Sequence, residues 1–226
     1  MFSNSVDGKI PPLINRTNMK IKFYGNSCFT ITDGSLTAVT DPHSKIKSPM
    51  KGSIVTISQN DPSHNNSDAV QGEPKVFNWP GEYEVGGVHI QGIPSFHNTR
   101  DDKEQKENTI FTFSLNGVHL CHLGGVGTRL TPEQLEEIGD VDVLFVPVAG
   151  KETIDAKKAK EVIEQIEPRV IIPMSYCEED DKCGLGPLAP FLNEMSAQAL
   201  APLDELEVKR SELPEDTSKI VVLKQQ

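Results

Sequence analysis

The sequence predicts an α/β fold of layered type: two β-sheets face to face inside and helices outside, an αββα sandwich. Three observations carry this prediction. Two hairpin signals echo each other in the first and middle parts of the chain. A strand–helix–strand unit follows them, and the clear helix signals are confined to the second half. Sheets that must each bury one face, with helices added late in the chain, are satisfied by such a layered arrangement.

Residues 1–18 are polar, lack the apolar run of a secretory signal and are set outside the fold as an N-terminal extension. Met19 opens the first strand-like segment and is an alternative start. Residues 19–226 are expected to form one domain, because 226 residues suit a single α/β layered unit. Residues 29–42 read as strand, Asp33-Gly34 turn, strand, and residues 111–124 repeat that plan around Asn116-Gly117. Asp-Gly and Asn-Gly between alternating apolar residues supply the positive φ of a tight hairpin turn. Each hairpin runs out into a polar stretch, Asp41-Pro42-His43 in the first and His122-Leu123-Gly124-Gly125 in the second.

Between the hairpins, Ile54-Val55-Thr56-Ile57 is a short β-branched run ending in a polar turn, residues 58–64. Residues 75–96 hold further short strands, with residues 79–87 as their turn and residues 88–94 leading into Ser95-Phe96-His97. Residues 98–108 read as a charged loop. In the second half, Thr131, Pro132 and Gln134 form a capping box with Pro at the first helical position, and that helix stops at Gly139. Residues 141–147 read as a buried strand. An amphipathic helix over 155–166 follows, with Ala159, Val162, Ile163 and Ile166 on one face, and then a strand over 168–174. A helix over 187–195 and a strand over 220–223 complete the chain.

Composition narrows the function classes. The net charge of −11 repels a phosphate backbone, and no Lys/Arg cluster offers the basic stripe of a nucleic-acid binder. No apolar run approaches the roughly 18 residues of a membrane span. The four cysteines have no framework spacing. Cys28 and Cys121 lie in apolar strands as buried thiols, so a reduced, cytoplasmic chain is expected. Cys177 and Cys183 flank an acidic run, read either as a solvated loop or as a source of a thiolate ligand or redox pair.

The stretch 54–66 resembles the T-H-x-H-x-D-H signature of the metallo-β-lactamase superfamily, a polar loop that follows a buried strand. Further blocks support the resemblance in the right order: Gly25-Asn26-Ser27-Cys28-Phe29, Thr40-Asp41-Pro42, Pro80-Gly81-Glu82-Tyr83, Pro94-Ser95-Phe96-His97, His122-Leu123-Gly124 and Ile172-Pro173-Met174. The chain is most similar to the small branch of Zn-dependent hydrolases that resembles ascorbate-phosphate lactonases. That resemblance implies two metal ions with a bound hydroxide. The first-metal positions fall on Gln59, Asp61 and His97, and the second-metal positions on Ser63, His64 and Ser175. The bridging Asp position falls on Gly125. His64 and His97 keep the family ligand and Asp61 carries a different one, so the metal motif is degenerate. By the same resemblance Asp41 lies behind the site and His122 is structural.

Two readings stay open. In one, the di-metal centre is lost, no cofactor is held, and the rim (Asp41, Gln59, Ser63, His122, Ser175) serves a small ligand or a protein partner. In the other, Asp61, His64 and His97 hold a single zinc or manganese as a two-His-one-carboxylate set and hydrolyse a lactone, ester or phosphodiester. Neither reading involves nucleic acid or membrane, and both are compatible with a homo-oligomer. His43, His89 and His119 are expected at the surface or behind the site.

Overall fold

The computed structural model describes residues 18–34, 36–46, 49–97, 106–150, 153–177, 184–197 and 200–226. Its strands in chain order are β1 (Met19–Phe23), β2 (Phe29–Asp33), β3 (Leu36–Thr40), β4 (Met50–Lys51), β5 (Ile54–Thr56), β6 (Val70–Gln71), β7 (Lys75–Phe77) and β8 (Gly81–Val85). They continue with β9 (Val88–Phe96), β10 (Glu107–Leu115), β11 (Val118–His122), β12 (Val143–Pro147), β13 (Val170–Met174), β14 (Leu206–Val208) and β15 (Lys219–Ile220). Three helices are described: α1 (Pro132–Ile138), α2 (Ala156–Ile166) and α3 (Ala189–Glu194).

A six-stranded sheet has the order β14-β1-β2-β3-β5-β7, and a seven-stranded sheet has the order β15-β13-β12-β11-β10-β9-β8. The two expected hairpins are present, one in each sheet. The β2–β3 register closes at Asp33 opposite Leu36, and the β10–β11 register at Leu115 opposite Val118. At the second turn both Asn116 and Gly117 have positive φ, 52° and 73°, which is the requirement that makes Asn-Gly the favoured pair there. The strand–helix–strand unit is also present, since β12 and β13 pair in parallel with α2 as the crossover.

Side-chain alternation sorts the six-stranded sheet into two faces. Met19, Ile21, Phe23, Phe29, Ile31, Ala38 and Ile54 point into the main core shared with the second sheet. Phe29 bridges the layers, its ring centroid 4.6 Å from that of Phe145 on β12. On the opposite face Val39 and Val55 pack with Cys28, Met50, Ile57 and Val70 in a second, smaller core. The pleat forces this division, because neighbouring residues on a strand face opposite ways. The α/β sandwich expected from the sequence therefore holds. Among the described residues, the cover over Val39 and Val55 comes from the β4–β6 ribbon.

Several local expectations need correction. The stretch 79–87 is not only a turn: residues 81–85 form β8, an edge strand paired with β9 through Glu82 opposite Gln91. Its Pro-Gly start and alternating glutamates imitate turn chemistry, yet that alternation suits an edge strand with one wet face. The loop expected over 98–108 ends earlier, since β10 begins at Glu107 and Asn108 is 2% exposed. Residues 98–105 lie outside the described residues. The first helix matches its prediction in full: Thr131 and Gln134 cap each other reciprocally, and Gly139 ends the helix with φ 64°. Cys28 and Cys121 are free and buried, whereas Cys177 is disulfide-bonded, which departs from a fully reduced chain. Cys183 and its acidic run lie outside the described residues.

Candidate functional site

The rim is assembled from the chain as it leaves β3, β5, β9, β11 and β13. Beyond β3, Asp41 takes a left-handed backbone (φ 39°) and donates its N–H to the Thr56 carbonyl at 2.8 Å. Its buried carboxylate accepts from the Ser58 N–H and the Ser58 hydroxyl, each at 2.7 Å. A carboxylate so bonded braces the loop that follows β5. Beyond β13, Ser175 also takes a left-handed backbone (φ 57°), and its N–H donates to Asn26 at 2.7 Å. The Ser175 hydroxyl is buried without a hydrogen-bond partner. A serine in this place offers no imidazole nitrogen to a metal.

One half of the rim is closed. Gln59, 6% exposed, lays its amide nitrogen 2.5 Å from His97 Nδ1 and 3.4 Å from both Asn108 Oδ1 and the Gly125 carbonyl. His97 Nδ1 is itself 2.8 Å from the Gly125 carbonyl. Asn108 ties this group to three strand ends. Its Oδ1 accepts from the Gly125 N–H at 2.8 Å, and its Nδ2 donates to the Ser95 hydroxyl at 2.6 Å and the Leu123 carbonyl at 3.0 Å. Buried amides in such a net must be satisfied or they are costly, and here the partners are provided.

The other half is local and half-exposed. The Asp61 carboxylate lies 3.2 Å from His64 Nδ1 through each of its oxygens, and it accepts from the Ser63 N–H at 2.8 Å and from the Ser63 hydroxyl. Burial alone would raise the Asp61 pKa, but the hydrogen bonds from His64 and Ser63 outweigh it and hold the group well below the usual carboxylate range. The Ser63 hydroxyl meets His64 at Nδ1 too, at 2.8 Å. A nucleophile relay needs the hydroxyl and the carboxylate on opposite ring nitrogens, so this cluster is not arranged as one.

Beneath the rim sit two further histidines. Fully buried His122 donates from Nε2 to the Ser27 carbonyl at 2.9 Å and accepts at Nδ1 from the Gly124 N–H at 3.3 Å. Burial pushes its pKa down, so the ring is neutral and structural. His43 follows the same plan: Nε2 donates to the Tyr24 carbonyl at 3.1 Å, Nδ1 accepts from the Lys45 N–H at 3.2 Å, and burial lowers its pKa. It is buried behind the loop, while His89 and His119 are exposed.

The structure thus joins Gln59 with His97 and Asp61 with His64. Among the described residues, no three His, Cys, Asp or Glu side chains are grouped as a metal ion would need. The packing agrees. A Cβ on Gly125 would lie 2.8 Å from His97 Nδ1 and 2.9 Å from the Gln59 side-chain carbon, so the space a side chain at 125 would enter is filled by the Gln59 amide and the His97 ring. This donor set does not fit a pair of zinc ions. Asn108, Ser58 and Ser95 were invisible as site residues in the sequence, since each is a small polar residue whose importance comes from contacts distant along the chain.

Comparison with known proteins agrees with this architecture. Residues 20–175 match the profile of the beta-lactamase superfamily domain, and the chain belongs to the metallo-β-lactamase superfamily. It is similar to a Thermotoga maritima protein assigned as a Zn-dependent hydrolase of that superfamily, at 37% identity over 91% of this chain and 98% of the other, with a TM-score of 0.76. It also matches a UPF0173 metal-dependent hydrolase of Thermococcus onnurineus, 33% identical over 98 residues, 42% of this chain and 44% of that protein. The match thus spans less than half the length of that curated relative. The metallo hydrolase Igni18 of Ignicoccus hospitalis shares the fold, with a TM-score of 0.63 at 18% identity over 85% of this chain and 99% of the other.

Proposed function

We propose that this chain is a non-catalytic member of its superfamily, a pseudoenzyme that has lost the di-metal centre and uses the old rim to bind a small ligand or a protein partner. The observation that carries this reading is the Gln59 amide lodged against His97 and Gly125, where a bridging carboxylate would stand. Gln and Ser are weak zinc ligands, and without the carboxylate between them two cations would repel. The acidic composition supports a partner other than nucleic acid, and a second copy of the chain is within that class.

Elemental mass spectrometry on protein purified without a chelating tag, before and after added zinc or manganese, tests the reading. The expected result is far less than one equivalent and no hydrolysis of lactone, ester or phosphodiester substrates. Stoichiometric metal together with turnover would overturn it.

A second reading is favoured by the Asp61–His64 pair on the half-exposed part of the rim and by the metal-dependent hydrolase names of the relatives. In it one zinc or manganese is held by Asp61 and His97, with His64 either as the third ligand or as the general base. Metal lost and hydrolysis abolished together in the His97→Ala variant would support this second reading.

A further inference from the structure

Gln59 and Gly125 lie 66 residues apart in the chain, yet the amide of one occupies the space that any side chain on the other would enter. Gly125 does not have a positive φ, so its backbone does not require glycine. What excludes a side chain there is contact. The nearest atoms belong to the end of the Gln59 side chain and to the His97 ring. The far end of a glutamine could ordinarily swing aside, but this one is buried among His97, Asn108 and the Gly125 carbonyl.

We propose that Gln59 and Gly125 form one coupled replacement: the Gln59 amide fills the first-metal position and cross-links the ends of β5, β9, β10 and β11, so neither position can regain its family residue alone. The inference rests on the reading that the di-metal centre is lost. It predicts a specific energetic signature. Adding a side chain at 125 should cost clearly more while Gln59 is present than without it, because the trapped amide adds its overpacking to that of the His97 ring. Restoring metal affinity should likewise need both positions to change together.

A thermal double-mutant cycle on the full chain tests this. In the native background Gly125→Ala is expected to lower Tm by about 4–8 °C, from an overpacking cost typical of cores spread over a chain of this size. In a Gln59→Gly background the same change should lower Tm by no more than about half as much, the remainder coming from the His97 ring. Gln59→Ala serves as the second background where Gln59→Gly proves too unstable to measure. Equal shifts in both backgrounds would overturn the coupling.

Zinc alone is the probe for the other arm. The expected result is a zinc-dependent rise in Tm and close to one bound zinc in the Gln59→His/Gly125→Asp double variant, with neither change in Gln59→His or Gly125→Asp alone. A single variant that takes up zinc and is stabilised by it would overturn the inference. Stoichiometric zinc in the unaltered chain would instead sink the loss of the metal centre, and the two failures are distinguishable by which protein carries the metal.

Discussion

The two halves of the rim hold polar residues in opposite ways. Gln59, His97, Asn108 and Gly125 come from four separate segments and are bonded across long stretches of chain in a buried setting. Asp61, Ser63 and His64 come from one short turn, bond within it, and leave the Asp61 side chain 45% exposed. The first half is part of the fold's internal bracing. The second is a polar turn bonded chiefly within itself, although Asn26 donates to its Ser63 carbonyl and its His64 is buried. A mutation in the first half should therefore be felt by the whole molecule, and one in the second mainly by whatever docks there.

Asn108→Ala is the sharpest way to break this contrast. It strands the Gly125 N–H and takes a donor from the Leu123 carbonyl in a buried setting, while the Ser95 hydroxyl keeps its bond to the main-chain carbonyl of residue 108, and it is expected to cost about 2–4 kcal/mol in urea denaturation. A cost no greater than that of Asp61→Asn would erase the distinction between the halves.

A smaller effect is expected from His122, and it should depend on pH. Burial lowers the pKa of His122 and His43, so both bind a proton more readily unfolded than folded. Their neutral forms are compatible with full stability above the unfolded histidine value of about 6.5, and stability falls as pH drops below it. Replacing His122 by Phe, between Phe29 and Phe145, should lower stability at neutral pH but flatten the decline of Tm between about pH 6.5 and 5. An unchanged slope would mean that the buried ring does not govern the acid response.

The smallest effect belongs to Asp61→Asn, less than about 1 kcal/mol at neutral pH because the pair is half in water. Asp61 has a depressed pKa, so its contribution is present above the unfolded value of about 3.9 and is lost as pH falls through the lower folded value. The Tm difference between the two proteins should therefore close on acidification. A gap that widens toward acid would refute the assigned pairing.

The sequence made the fold legible wherever the signal was local. Asn116-Gly117, the Thr131–Gln134 capping box and the apolar face of α2 are each readable within a few residues, and each appears as read. Edge strand β8 was masked by its Pro-Gly opening, and the ribbon strands β4 and β6, two residues each, are too short to show a period. Candidate site positions could be listed from the family motif, but how the chain organises them could not. That Gln59 reaches Gly125, or that Asn108 closes the ring, depends on strands brought together from distant parts of the chain. An asparagine at the end of a charged run carries no local sign of that role.

Asp41 and Ser175 both hold a left-handed backbone that non-glycine residues seldom adopt, each fixed by a main-chain bond to a neighbouring segment. Such a conformation costs on the order of 1 kcal/mol or more. The mouth of this sandwich is in that sense a mould whose contour is cast in main chain. Whatever side chains are set into it inherit the same outline, which makes it a ready template for grafting a new recognition surface.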